Sequence, residues 1–223
     1  KENIAACEFR AAEFTDDTHQ CIALMDALNE TNGVTDPLVI ARHILLWARR
    51  CQAFEKNILG PTSKASLLVL EQGRPLDEIV ANGVTNGAAM RASPLGCLLP
   101  GDNLDAFISD VAAASSPTHK SDLAIAGATV IAWAISRAVD GAGWPAIVDA
   151  LPAVARHAQE QKTTTFSASL ALRIELALRT VREAEGPESA SERLYQLIGA
   201  GTSTIESVPC AIAMVELAGT DPN

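Results

Sequence analysis

The sequence predicts an all-α protein, and three observations carry that prediction. Apolar residues recur at the three- and four-residue spacing of a helix in segment after segment. No stretch alternates apolar and polar residues with the two-residue period of a strand. Aromatic residues make up only 4% of the 223 residues, and the apolar segments are rich in alanine, which suits close helix-on-helix packing.

Taken in order, Cys21, Leu24, Met25 and Leu28 follow Asp17 at the spacing of an amphipathic helix, and "TNG" ends it. Asp36 then reads as an N-cap with Pro37 at the first helical position. Ile40, Ile44, Leu45, Ala48 and Cys51 line one face of the helix behind it. Similar patterns appear in "SKASLLVLEQG", "NLDAFISDVAAASS", "SDLAIAGATVIAWAISRAVDG", "WPAIVDALPAVARHAQEQ", "SASLALRIELALRTVREAEG" and "IESVPCAIAMVELAG". The stretch 121–141 is apolar enough to suggest a membrane helix. Its charges sit at its ends and its middle is alanine-rich, so it reads as the buried central helix. Residues 182–194, "REAEGPESASERL", read as a polar connection.

Composition bounds the function. A hydrophobic share of 48% over this length suits one substantial core or two small ones, and the simpler reading is a single domain over residues 1–223. A net charge of −10 and a pI near 4.8 leave no basic stripe for nucleic acid. Cys7, Cys21, Cys51, Cys97 and Cys210 show no CxxC spacing, which fits reduced thiols. With no uninterrupted apolar span, the expectation is a soluble, cytoplasmic protein that binds neither nucleic acid nor membrane.

Three stretches could carry chemistry. In "FTDDT", Thr15, Asp16, Asp17 and Thr18 sit at a helix start, where a threonine caps an orphan N–H and acids complement the macrodipole. The same oxygens could instead converge on a hard cation such as Mg²⁺. In "ANGVTNGAAMRASPLG", Gly83, Gly87, Ala88 and Ala89 allow a close backbone approach, Asn82 and Asn86 offer amides, and Arg91 could anchor a carboxylate or phosphate. The stretch equally suits a loop packed with small residues, and it matches neither a Walker loop nor GxGxxG. In "SSPTHKSDLAIAG", His119 precedes a helix capped by Ser121 and either points into a cleft or is a bonded loop residue.

The order of "FTDDT", "GPTSKASL", "TNGAAMRASPLG", "PTHKSDLAIAGA" and "GTSTIESVPCAIAMVELAG" resembles the ADP-ribosylglycohydrolase family, which includes dinitrogenase reductase activating glycohydrolases and J1 crystallins. The resemblance runs from Phe14 over nearly the whole chain. It implies a compact, orthogonal all-α bundle binding two divalent ions, Mg²⁺ or Mn²⁺, beside the ribose of ADP-ribose. Thr15, Asp16 and Asp17 would be metal ligands. Gly83, Asn86 and Gly87 would lie along the diphosphate and ribose, and His119 would contact the ligand's distal end.

The implied reaction is hydrolysis of a glycosidic bond joining ADP-ribose, or a related ribosyl group, to a protein side chain or small molecule. An acidic residue would deprotonate the attacking water, and the resemblance does not identify it. A non-catalytic ADP-ribose-binding or crystallin-like member of the fold is the alternative. Two expected motifs are not matched, an opening "GDAxG" helix with its glutamate and a closing "DTDT". The sequence therefore supplies half of the expected ligands, and the chain by itself is expected to bind metal poorly.

Overall fold

The turn "TNG" sends the chain back on itself because Asn32 and Gly33 adopt left-handed φ of 51° and 89°. It joins α1 (Asp16–Glu30) to α2 (Pro37–Arg50). The Asp36 side chain accepts from the Leu38 and Val39 N–H groups, and Pro37 occupies the first helical position, as its sequence predicts. The computed structural model describes residues 14–56, 58–79, 83–161 and 165–219. Cys7 and Asn82 lie outside them.

The remaining helices are α3 (Pro61–Glu71), α4 (Ser93–Leu98), α5 (Leu104–Ser115), α6 (Asp122–Val139), α7 (Trp144–Glu160), α8 (Leu170–Arg182), α9 (Pro187–Leu197) and α10 (Thr204–Ala218). Short 3₁₀ turns cover Leu76–Glu78 and Ala89–Arg91. The described residues form no strand beyond an isolated bridge between Thr85 and Ser203.

The central helix is α6, and its apolar character follows from having two packed faces. Ala128 and Ala132 join a core built from Leu24 and Leu28 of α1, Ile40 and Ile44 of α2, and Phe107 of α5. Leu123, Ala126 and Val130 join a second core with Leu151 of α7, Ile174 of α8 and Ile212 of α10. A helix covered on both sides is apolar all round, so α6 is the core of a helical bundle.

One expectation fails. Residues 182–194 are not a connection, since Pro187–Leu197 is helical, with Pro187 in the first turn and Glu188 at the favourable end of the dipole. Ala190, Leu194 and Ile198 repeat every four residues and bury against Ala177, Val181 and Ala213. A stripe one residue wide on an otherwise polar helix escapes a search for broad apolar faces.

Close packing on α6 depends on Gly96 of α4. A Cβ there would lie 2.4 Å from the Ala132 carbonyl oxygen and 2.6 Å from Ile135 Cβ. Backbone oxygen cannot swing aside, so Gly96→Ala is expected to destabilise the protein by about 1–3 kcal/mol in urea unfolding. Gly60→Ala, where nothing lies within 4 Å, serves as the control and should stay close to wild type.

Candidate functional site

At the mouth of α1, Thr15 has extended backbone angles, yet its hydroxyl caps nothing. It donates instead to Asp17 Oδ2 at 2.8 Å. The capping expectation therefore fails: the hydroxyl donates to the carboxylate two residues on, and its oxygen accepts no backbone N–H of the first turn. Asp16 is half-buried, and burial together with the neighbouring Asp17 charge pushes its carboxyl up to about 6. No Lys, Arg or His forms an ion pair with either aspartate among the described residues.

Two adjacent carboxylates with no cationic partner, beside a hydroxyl, make an oxygen-only donor set. Mg²⁺ binds through one or two carboxylates while keeping several waters, so these residues fit part of such a site. No cluster of three or more His, Cys, Asp or Glu side chains able to hold a metal occurs among the described residues.

The glycine-containing turn is held on every side. The Thr204 N–H donates to Val84 O and the Asn86 N–H to Thr202 O, each at 2.9 Å, which ties the turn to the start of α10. Ser121, the N-cap of α6, donates its hydroxyl proton to Gly83 O at 2.6 Å. Gly83 and Gly87 do permit a close approach, but to protein. A Cβ on Gly83 would meet Thr62 Cγ2 at 2.1 Å, and one on Gly87 would meet His119 Cε1 at 2.5 Å. The half-buried Asn86 amide makes no side-chain hydrogen bond among the described residues, so it is available to a ligand.

Behind the turn runs a chain of polar groups. Arg91 donates to Gln20 Oε1 at 2.6 Å and to Thr118 Oγ1 at 2.7 Å. The Thr118 hydroxyl lies 2.8 Å from His119 Nδ1, and His119 Nε2 lies 2.9 Å from Thr85 Oγ1. Thr85 donates in turn to Thr62 Oγ1 at 3.0 Å. Burial lowers His119 to about 3, with the Arg91 charge adding to the effect, so the imidazole is neutral.

Arg91 does not anchor a carboxylate or phosphate as its position beside the glycines suggests. It is 1% exposed and bonded to two neutral acceptors, and burial lowers it to about 10. A buried cation without an anion costs several kcal/mol. His119, likewise 1% exposed with both ring nitrogens engaged, braces the turn from behind instead of reaching into a cleft.

The network runs from Gln20 of α1 to the turn and makes no hydrogen bond to Asp16 or Asp17 among the described residues. Gln20, the α1 end of it, sits one helical turn from Asp16, about 6 Å along the axis. Gln20, Thr62, Thr85 and Thr118 were not singled out by sequence. Only Gln20 left a signal, as a polar residue in register with Ala23, Leu24 and Ala27, and it is fully buried.

A family model described as ADP-ribosylglycohydrolase matches residues 2–223. The chain is 68% identical over 223 residues to "Uncharacterized protein YegU" of Escherichia coli (strain K12), covering all of this chain and 67% of that protein. A solved structure titled "ADP-ribosylglycohydrolase-related protein complex" is similar with a TM-score of 0.51 and 25% identity, covering 91% of this chain and 65% of that one.

Proposed function

Because the chain belongs to the ADP-ribosylglycohydrolase family, we propose that it contributes the site of a metal-dependent hydrolase that cleaves ADP-ribose, or a related ribosyl group, from a protein side chain or small molecule. The observation that supports this reading is the uncompensated pair Asp16 and Asp17, one helical turn from Gln20, whose bond to Arg91 leads to the glycine turn. Thr15, Asp16 and Asp17 would hold Mg²⁺ or Mn²⁺. A bound ion there supplies positive charge for the diphosphate and orients the ribose hydroxyls. Family resemblance leads to an expectation of two such ions.

The chain's own residues hold the ligand. In an acidic protein, a diphosphate needs local donors, and a turn lying against helix N-termini provides backbone N–H groups. Gly83 and Gly87 keep that turn low against Thr62 and His119. The Asn86 amide would bond ribose or phosphate oxygen. His119 keeps the turn's shape while staying neutral, so it adds no charge of its own.

The test is incubation with arginine- and serine-linked ADP-ribosyl peptides plus Mg²⁺, reading free ADP-ribose by mass spectrometry. Release supports the hydrolase. Calorimetric binding of ADP-ribose without release from any linkage would instead favour a non-catalytic, crystallin-like binder. The absence of a three-residue acidic cluster among the described residues is what keeps that second reading in view.

The ionisation of Asp16 adds a pH prediction. Its folded value of about 6 lies above the ordinary 3.8, so the protonated form favours folding. That contribution is complete below 3.8 and is lost as the pH rises through about 6. Wild type minus Asp16→Asn, compared by urea unfolding without metal, should show this decline. Mg²⁺ takes only the ionised form, so its affinity should fall as the pH drops through about 6.

A further inference from the structure

We propose that Arg91 is a positioning residue: by donating to Thr118 Oγ1 it directs the Thr118 hydroxyl proton to His119 Nδ1, so that His119 carries its own proton on Nε2 and holds the glycine turn through Thr85. The consequence for ligand binding rests on the hydrolase reading above, whereas the proton arrangement stands on the network alone.

A guanidinium only donates and keeps its charge, so the Thr118 oxygen accepts at 2.7 Å. Thr118 is fully buried, and its one proton lies within reach of His119 Nδ1 at 2.8 Å. With Nδ1 accepting, a neutral ring bears its proton on Nε2, which donates to Thr85 Oγ1 at 2.9 Å. The Thr85 proton then goes to Thr62 Oγ1 at 3.0 Å. From Thr118 to Thr85, each side-chain proton on this line has an acceptor.

The opposite tautomer breaks this sequence. Nδ1–H and Arg91 would both donate to Thr118, whose own proton would then have no acceptor among the described residues, a costly arrangement for a fully buried hydroxyl. Arginine suits this position better than lysine because its two terminal nitrogens reach separate acceptors on different segments, NH1 to Gln20 of α1 and NH2 to Thr118. The ring so fixed stands directly behind Gly87, whose missing side chain leaves room for it.

The experiment is a long-range ¹H–¹⁵N spectrum of the His119 side chain near neutral pH, on wild type, Thr118→Val and Thr118→Ser, followed by ADP-ribose calorimetry with Mg²⁺. Wild type should show a protonated Nε2 and a bare Nδ1. Thr118→Val keeps the volume but removes the hydroxyl, so the nitrogen signals should move toward the other tautomer and ADP-ribose affinity should fall about 10-fold. Thr118→Ser should restore both.

A proton on Nδ1 in wild type overturns the proposal, as do His119 signals unchanged by Thr118→Val. The wild-type spectrum decides the tautomer even if the valine variant does not fold. If the nitrogens behave as described while no variant binds ADP-ribose, the positioning role stands and the hydrolase reading fails.

Discussion

In the complete protein, Asp16→Asn is expected to weaken Mg²⁺ binding by about 100-fold, read by titration calorimetry at neutral pH. The substitution keeps the shape of the side chain and one oxygen, but removes the charge that a hard cation needs. The same change should stabilise the metal-free protein at neutral pH. Ionised Asp16 is half-buried and repelled by Asp17, which pushes its carboxyl up to about 6, so the folded state loses by ionising it. Lower metal affinity combined with higher stability is the signature of a residue kept for binding. Unchanged Mg²⁺ affinity would remove Asp16 from the site.

Gly87→Ala is expected to lower ADP-ribose affinity by about 10–100-fold and to cost about 1–3 kcal/mol of stability. Its φ is not in the left-handed region, so the backbone tolerates alanine and the obstacle is steric. The new methyl would lie 2.5 Å from His119 Cε1 and 3.0 Å from Nε2. The ring has little freedom to withdraw, because threonines hold both of its nitrogens. Adding His119→Ala should relieve the overlap, so the double variant should lose less stability than the two single losses added together. Strictly additive losses in urea unfolding would show that ring and turn are not in contact.

The fold was readable because period and packing agree. Asp36 with Pro37 announced α2, and the unbroken apolar run in α6 announced a helix with two covered faces. In α9 the signal was three residues four apart, too narrow to stand out among charges. The acidic mouth was visible as a motif, but whether Thr15 would cap the helix or bond Asp17 is a matter of side-chain geometry that sequence does not specify.

The glycine turn shows the same division more sharply. Small residues declared that something comes close, and only the fold tells that Thr62 and His119 do so, from segments far along the chain. Arg91 misled for a related reason. A basic residue beside glycines suggests an anion site, while tertiary burial turned it inward to Gln20 and Thr118. Long-range partners of polar residues leave little trace in local pattern.

The most direct measurement is an anomalous difference map from crystals grown with Mn²⁺ and ADP-ribose. The account predicts a manganese peak at the carboxylates of Asp16 and Asp17, with the diphosphate lying along Gly83, Asn86 and Gly87. A manganese peak or a diphosphate elsewhere on the molecule would contradict it.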